Sequence, residues 1–288
     1  MRRQIRRAVD WATTTGDRFT AWGTRLLAGH GMGIAWLVVG CLAAVPLLGF
    51  GVIQAASVVA HEERTETTTI DLAASGATGL VVDNDAGSVT VVGVEDSDAV
   101  VVRANVSEGL RATGHQITTR DDKIFVRGSC PIFGSEWCSV DYTVEVPDDL
   151  FVDVAGSDGV SVSDVAGGLV ADSDTGTLEL VRVGGDVTAS SDQGRVDARE
   201  LTASRVDARA DQGRVTLEFV ESPQHIVAEA DQGSIDIVLP VDEDVFYALY
   251  PEADQGSVSN RVNTKPTSDR SITAKADQGS ITIRYATP

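Results

Sequence analysis

The chain has 288 residues, with 43 Asp and Glu against 23 Lys and Arg, and aromatics make up only 5% of it. That length allows one or two domains with a core of their own. A net charge of −20 repels phosphate backbones, which excludes nucleic acid as a partner of the main domain.

Residues 1–30 carry Arg2, Arg3, Arg6, Arg7, Arg18 and Arg25 against Asp10 and Asp17. They read as a short cytoplasmic Arg-rich segment, either an interfacial amphipathic helix or a plain topogenic tail. From Gly31 to Ala60 the text "GMGIAWLVVGCLAAVPLLGFGVIQAASVVA" holds no charged residue. A helix needs about 20 apolar residues to cross a bilayer core, so residues 31–60 are expected to hold a transmembrane helix. The Arg-rich flank before it and "HEER" beyond it predict a cytoplasmic N-terminus and an extracytoplasmic C-terminal domain. The expectation is a single-pass protein of the cell membrane, with the membrane as partner through this helix. A cleaved signal peptide ending at "VVA" is the alternative, disfavoured by the length of the flank and of the apolar run.

Residues 61–68 read as a polar linker. The text from 69 to 288 alternates strands and turns, as in "GLVVDNDAGSVTVVGV", "DAVVVRANV" and "VDYTVEVP", and nothing after Ala60 has a helical apolar period. Cys130 and Cys138 flank a loop between "KIFVR" and "VDYTVEV". Outside the cytoplasm, the simplest use of such a pair is a disulfide closing that loop. Cys41 falls in the expected span and reads as packing.

The C-terminal half repeats itself. Aligned on Gly159, Gly176, Gly194, Gly213, Gly233, Gly256 and Gly279, the spacings are 17, 18, 19, 20, 23 and 23. Such a period marks units too small to fold alone. Five carry Asp-Gln-Gly, beginning at Asp192, Asp211, Asp231, Asp254 and Asp277. Ala208 and Ala210 share one strand face before the motif, and Val215 and Leu217 share one after it. Ala210 and Val215 lie on opposite faces of a straight strand, so both reach one core only if the backbone turns between them. Gly176, Gly194, Gly213, Gly233, Gly256 and Gly279 are therefore read as structural corners, where Gly permits positive φ.

Two architectures satisfy this, a stack of coils or a meander of hairpins. Identical residues at successive corners favour the stack, where equivalent side chains lie about 4.8 Å apart and a Gln ladder can bond along the axis. The fold expected is all-β: a β-solenoid-like stack of short coils, repeating from about residue 155, behind a β-rich cap region. Stacked Asp residues repel, so each carboxylate either serves its own turn or shares a cation. Turn chemistry without a cofactor is the main reading and calcium at Asp192, Asp211, Asp231, Asp254 and Asp277 the minor one; "DNDAG" at 83–87 and "DSDTG" at 172–176 lack the full acidic spacing of calcium loops.

The runs "GLVVDNDAGSVTVVGV" and "VDYTVEVPDDLFVDVAGSDGVSVSDV", followed by Gly-punctuated repeats, resemble the bacterial putative adhesin family of unknown function over about residues 66–288. The resemblance implies a surface or envelope β-solenoid domain and carries over no catalytic residue. No phosphate loop, metalloprotease helix or nucleophile elbow occurs. Arg195 and Arg214 follow two consecutive corners beside Asp192 and Asp211, the one arrangement suggesting a polysaccharide-acting solenoid enzyme; a surface ion pair is the plainer reading. The reading is a non-enzymatic surface or envelope module with a structural or adhesive role, meeting an unknown surface ligand or protein. The sensing arm of an envelope-stress or signalling assembly is the alternative.

Overall fold

The structure, a computed structural model, describes residues 62–108, 112–131 and 138–287. The described chain is all-β. The first half supplies β1 (Glu62–Asp71), the one-turn helix α1 (Leu72–Ser75), β2 (Gly79–Asn84), β3 (Val89–Val94), β4 (Ala99–Glu108), β5 (Gly114–Arg120), β6 (Lys123–Ser129), β7 (Ser139–Pro147), β8 (Phe151–Gly156) and β9 (Val160–Ser163). The repeats supply β10 (Leu169–Val181), β11 (Asp186–Leu201), β12 (Arg205–Gln212), β13 (Val215–Phe219), β14 (His225–Gln232), β15 (Ile235–Leu239), β16 (Ala248–Gln255), β17 (Val258–Asn260), β18 (Ser271–Gln278) and β19 (Ile281–Tyr285).

The strands form an open sheet whose pairings run in two lines. One runs β5–β6–β2–β8–β10–β11–β12–β14–β18–β16. The other runs β1–β4–β7–β3–β9–β10–β11–β13–β15–β19–β17. The long strands β10 and β11 pass through the corner and belong to both. Pairing between repeats is parallel, and like residue meets like: Val206 faces Ile226, Ala208 faces Ala228 and Gln212 faces Gln232. Antiparallel pairing is confined to β1, β4 and β5 with their partners.

The inward columns make the core. Val187, Val206, Ile226 and Ile272 form one, and Val196, Val215, Ile235 and Ile281 another, all buried. Each such side chain contributes about 1.5–3 kcal/mol on leaving water. Ala210 and Val215 are both buried, so the backbone does turn between them.

Pairing order departs from chain order at both ends. The β2–β3 repeat lies between β6–β7 and β8–β9. The β18–β19 repeat lies between β14–β15 and β16–β17. Charge favours the second exchange. Glu229 faces Lys275, which faces Glu252, whereas chain order would set Glu229 against Glu252. Pro251 adds a second reason. The Ala248 N–H bonds to Arg270 on the β18 side, so by alternation the N–H that Pro251 lacks would face the free edge, where proline is tolerated.

The expected localisation is corrected. Among the described residues no helix is long and apolar enough to cross a membrane. Their backbone groups are spent on strand pairing, and the helix present, α1, has 4 residues. The single-pass, N-inside arrangement and the membrane as partner through an N-terminal helix are withdrawn. Residues 1–30 and 31–60, on which they rested, lie outside the described residues, as does Cys41.

Candidate functional site

The corners are built from bare backbone. A Cβ on Gly194 would collide with the carbonyl oxygen of Gly176, and one on Gly213 with that of Gly194. The same holds for Gly233 over Gly213, Gly279 over Gly233, and Gly256 over Gly279. Positive φ is not the shared requirement. Gly176 has φ 92°, Gly213 154° and Gly279 155°, while Gly194, Gly233 and Gly256 fall outside that region. The approach of each corner to the next excludes a side chain at all of them.

Gln193, Gln212, Gln232, Gln278 and Gln255 face one another in turn. Among the described residues no side-chain hydrogen bond joins them, unlike the amide ladder the sequence suggested. The exposed amides turn to water, and backbone bonds run along the axis instead. The N–H groups of Gly213, Gly233 and Gly279 donate to the carbonyls of Gln232, Gln278 and Gln255, at 2.9, 3.0 and 3.0 Å.

Asp192, Asp211, Asp231 and Asp254 are exposed, and Asp277 is half-buried. Asp277 lies 3.5 Å from the Lys275 ammonium. Among the described residues no three His, Cys, Asp or Glu side chains gather as a metal site. In the "DNDAG" turn the buried Asn84 is spent on backbone: its amide donates to the Val140 carbonyl at 2.8 Å and its oxygen accepts from the Ala86 N–H.

Beside the corners lies a shallow groove of about 600 Å³ lined by Gly176, Thr177, Gly194, Arg195, Gly213 and Arg214. Arg195 and Arg214 occupy equivalent places on consecutive repeats, each next to a facing pair, Val196 and Val215. Neither guanidinium has a carboxylate partner among the described residues; Arg214 donates from Nε to Ser234 Oγ at 3.1 Å. The ion pair with Asp192 or Asp211 suggested by the sequence does not form. Several other outward arginines of the repeats have a carboxylate partner, although Arg261 has none among the described residues. Arg182 holds Asp164 through two bonds of 2.6 and 2.9 Å, which hold the Asp164 carboxyl below its ordinary range. Arg209 meets Asp207 at 3.2 Å and Glu229 at 3.6 Å.

A second cluster was not legible in the sequence. His115 on β5 and Tyr142 on β7 come together, with Nδ1 2.8 Å from the phenol oxygen. Tyr142 donates to the Arg127 carbonyl at 3.0 Å, so its oxygen accepts from Nδ1–H. Nε2 then carries the lone pair and faces Glu66 at 3.8 Å. Burial lowers the His115 pKa against the opposing pull of Glu66, and Arg64 lowers it further. Burial first, and then Glu66, push the Tyr142 phenol up. Strand pairing alone joins these residues, since 27 positions separate the ring pair. His225 opens β14, half-buried, with Nδ1 3.1 Å from Ser271 Oγ. No carboxylate orients that imidazole among the described residues, so the geometry of an activated serine is not built there. His30 and His61 lie outside the described residues.

Cys130 and Cys138 are bonded, with Cα atoms 5.9 Å apart, linking the end of β6 to the start of β7.

No protein-family model matches the chain, and no curated protein matches it. Solved structures similar to it are bacterial proteins named for adhesion. A putative adhesin from Parabacteroides merdae is 11% identical with a TM-score of 0.41, over 78% of this chain and 97% of that one. A putative adhesin from Bacteroides fragilis is 14% identical with a TM-score of 0.36, over 77% and 97%. A putative cell adhesion protein from Clostridium sporogenes is 13% identical with a TM-score of 0.33, over 78% and 100%.

Proposed function

We propose that this chain is a non-enzymatic binding module of the cell surface, built as a β-solenoid whose corners are held by the Asp-Gln-Gly glycines. The observation that carries the reading is the in-register parallel pairing of the repeats. It sets equivalent outward side chains of facing repeats side by side. Extended repeat surfaces of this kind suit recognition of long partners. The disulfide supports an oxidising compartment, where such bonds persist. Its loop is short, and closure contributes about 2–3 kcal/mol. Asp-Gln-Gly is on this reading architecture, its glycines required by backbone approach and four of its five Asp side chains exposed.

The test is display. Intact cells producing the full chain are treated with protease and laid on immobilised glycans and matrix proteins. Cleavage of the domain and retention on at least one surface are expected. A chain protected from protease and retained on none, or one that shortens a presented glycan, contradicts the reading.

A further inference from the structure

We propose that Arg195 and Arg214, standing over the bare backbone of Gly176, Gly194 and Gly213, bind an extended carboxylate-bearing saccharide chain laid along the stack. The inference rests on the surface-binding reading and names the ligand class of one site in it.

The first observation is electrostatic. Like charges on facing strands are destabilising, and at the end of the sheet Lys275 lies between Glu229 and Glu252. Yet Arg195 and Arg214 stand one repeat apart, both exposed, with no carboxylate partner among the described residues. In a chain of net charge −20, acidic side chains are the commonest neighbour to be had. An unneutralised guanidinium pair kept under those conditions is a local conflict, and such conflicts concentrate at functional sites. An anionic ligand resolves it.

The second observation is shape. The groove of about 600 Å³ is floored by three corner glycines and walled by the two arginines and Thr177. A floor without side chains lets a ligand approach the backbone closely. The groove runs with the pairing direction, across strands about 4.8 Å apart. A polyuronate carries one carboxylate on each sugar, at a comparable interval. Long arginine side chains can reach two carboxylates of such a chain, each as a planar two-bond pair. Distant acidic residues weigh little against such contacts, because salt screens charges beyond about 8 Å at physiological ionic strength. A nucleic acid is the competing polyanion, and its phosphates are set against carboxylates in the experiment.

The experiment measures binding of the full chain to oligogalacturonate, with a neutral oligosaccharide of equal length, dextran sulfate and single-stranded RNA as comparators. The wild type should bind oligogalacturonate, more weakly as salt rises, and should not bind the neutral chain. Arg195→Gln with Arg214→Gln should lower that affinity at least about tenfold. Arg209→Gln, which removes an arginine already paired, should leave it unchanged. Arg195→Gln alone should not lower the melting temperature, which separates lost binding from lost folding. Failure to bind oligogalacturonate, binding indifferent to the double substitution, or tighter binding of dextran sulfate or RNA would each overturn the assignment. Surface retention of displayed cells is measured alongside. Retention that survives while oligogalacturonate binding is absent discards this site and keeps the binding module; loss of retention on every surface in the wild type discards both.

Discussion

The carbonyl oxygen of Gly194 occupies the space that a side chain on Gly213 would need. The same relation recurs from Gly176 to Gly256, and it explains the repeated glycine better than backbone dihedrals do. Gly233→Ala should therefore cost at least about 2 kcal/mol, in the range of an overpacked core, although Gly233 does not have positive φ. Gly76 gives the contrast. It has φ 68° and nothing within 4 Å of an added Cβ, so Gly76→Ala should cost about 1–2 kcal/mol, the left-handed penalty alone. Urea melts of both variants measure the difference, and a silent Gly233→Ala would remove the close-approach account.

The alternating row Glu229, Lys275, Glu252 should hold the last repeat in place. Lys275→Glu sets three acids side by side. It should lower the urea midpoint and speed amide exchange in β16 before β14. Adding Arg209→Glu, Glu229→Lys and Glu252→Lys restores alternation, since Arg209 faces Glu229, and should restore protection. Equal exchange in β16 for wild type and Lys275→Glu would show that charge does not set the order.

Acid should weaken the fold through His115. Its folded pKa lies below the ordinary 6.5 because burial outweighs Glu66. The unfolded chain thus takes up the proton first as pH falls. The stability His115 contributes is complete above pH 6.5 and is lost on descent through its lower folded pKa. His115→Gln should flatten that part of the profile and leave the loss below the carboxylate range, where Asp164 protonates and leaves Arg182. Chemical melts across pH check it; a wild-type profile that rises toward acid in this window would reverse the sign of the argument.

Reduction of Cys130–Cys138 should lower stability by about 2–3 kcal/mol without abolishing the fold, because the repeats do not depend on that loop. Peptide mapping without reductant should return the linked pair. Quantitative alkylation of both thiols without reductant would contradict the bond.

Much of the strand pattern was legible because in-register parallel pairing writes its core as a period. Ala210 and Val215 on opposite strand parities demanded a turn, and the recurrence of Asp-Gln-Gly demanded equivalent corners. The order of the repeats was hidden, since the facing of Lys275 with Glu229 and Glu252 depends on which strands pair, and sequence spacing does not record that. The His115–Tyr142–Glu66 cluster was hidden for the same reason. The Gln ladder failed for another: Gln232 and its equivalents face outward, where water competes for amides. The groove was half-visible. Arg195 and Arg214 stood out beside Asp192 and Asp211, but proximity in sequence suggested an ion pair that the corner does not make.

The most direct test of the strand order is a pair of engineered disulfides in the full chain with Cys41→Ser. Under mild oxidation, Glu229→Cys with Lys275→Cys should link in high yield, because these positions face each other. Glu229→Cys with Glu252→Cys should not, because β18 lies between them. Linkage of the second pair in preference to the first would place the last repeats in chain order and contradict the strand order β14–β18–β16.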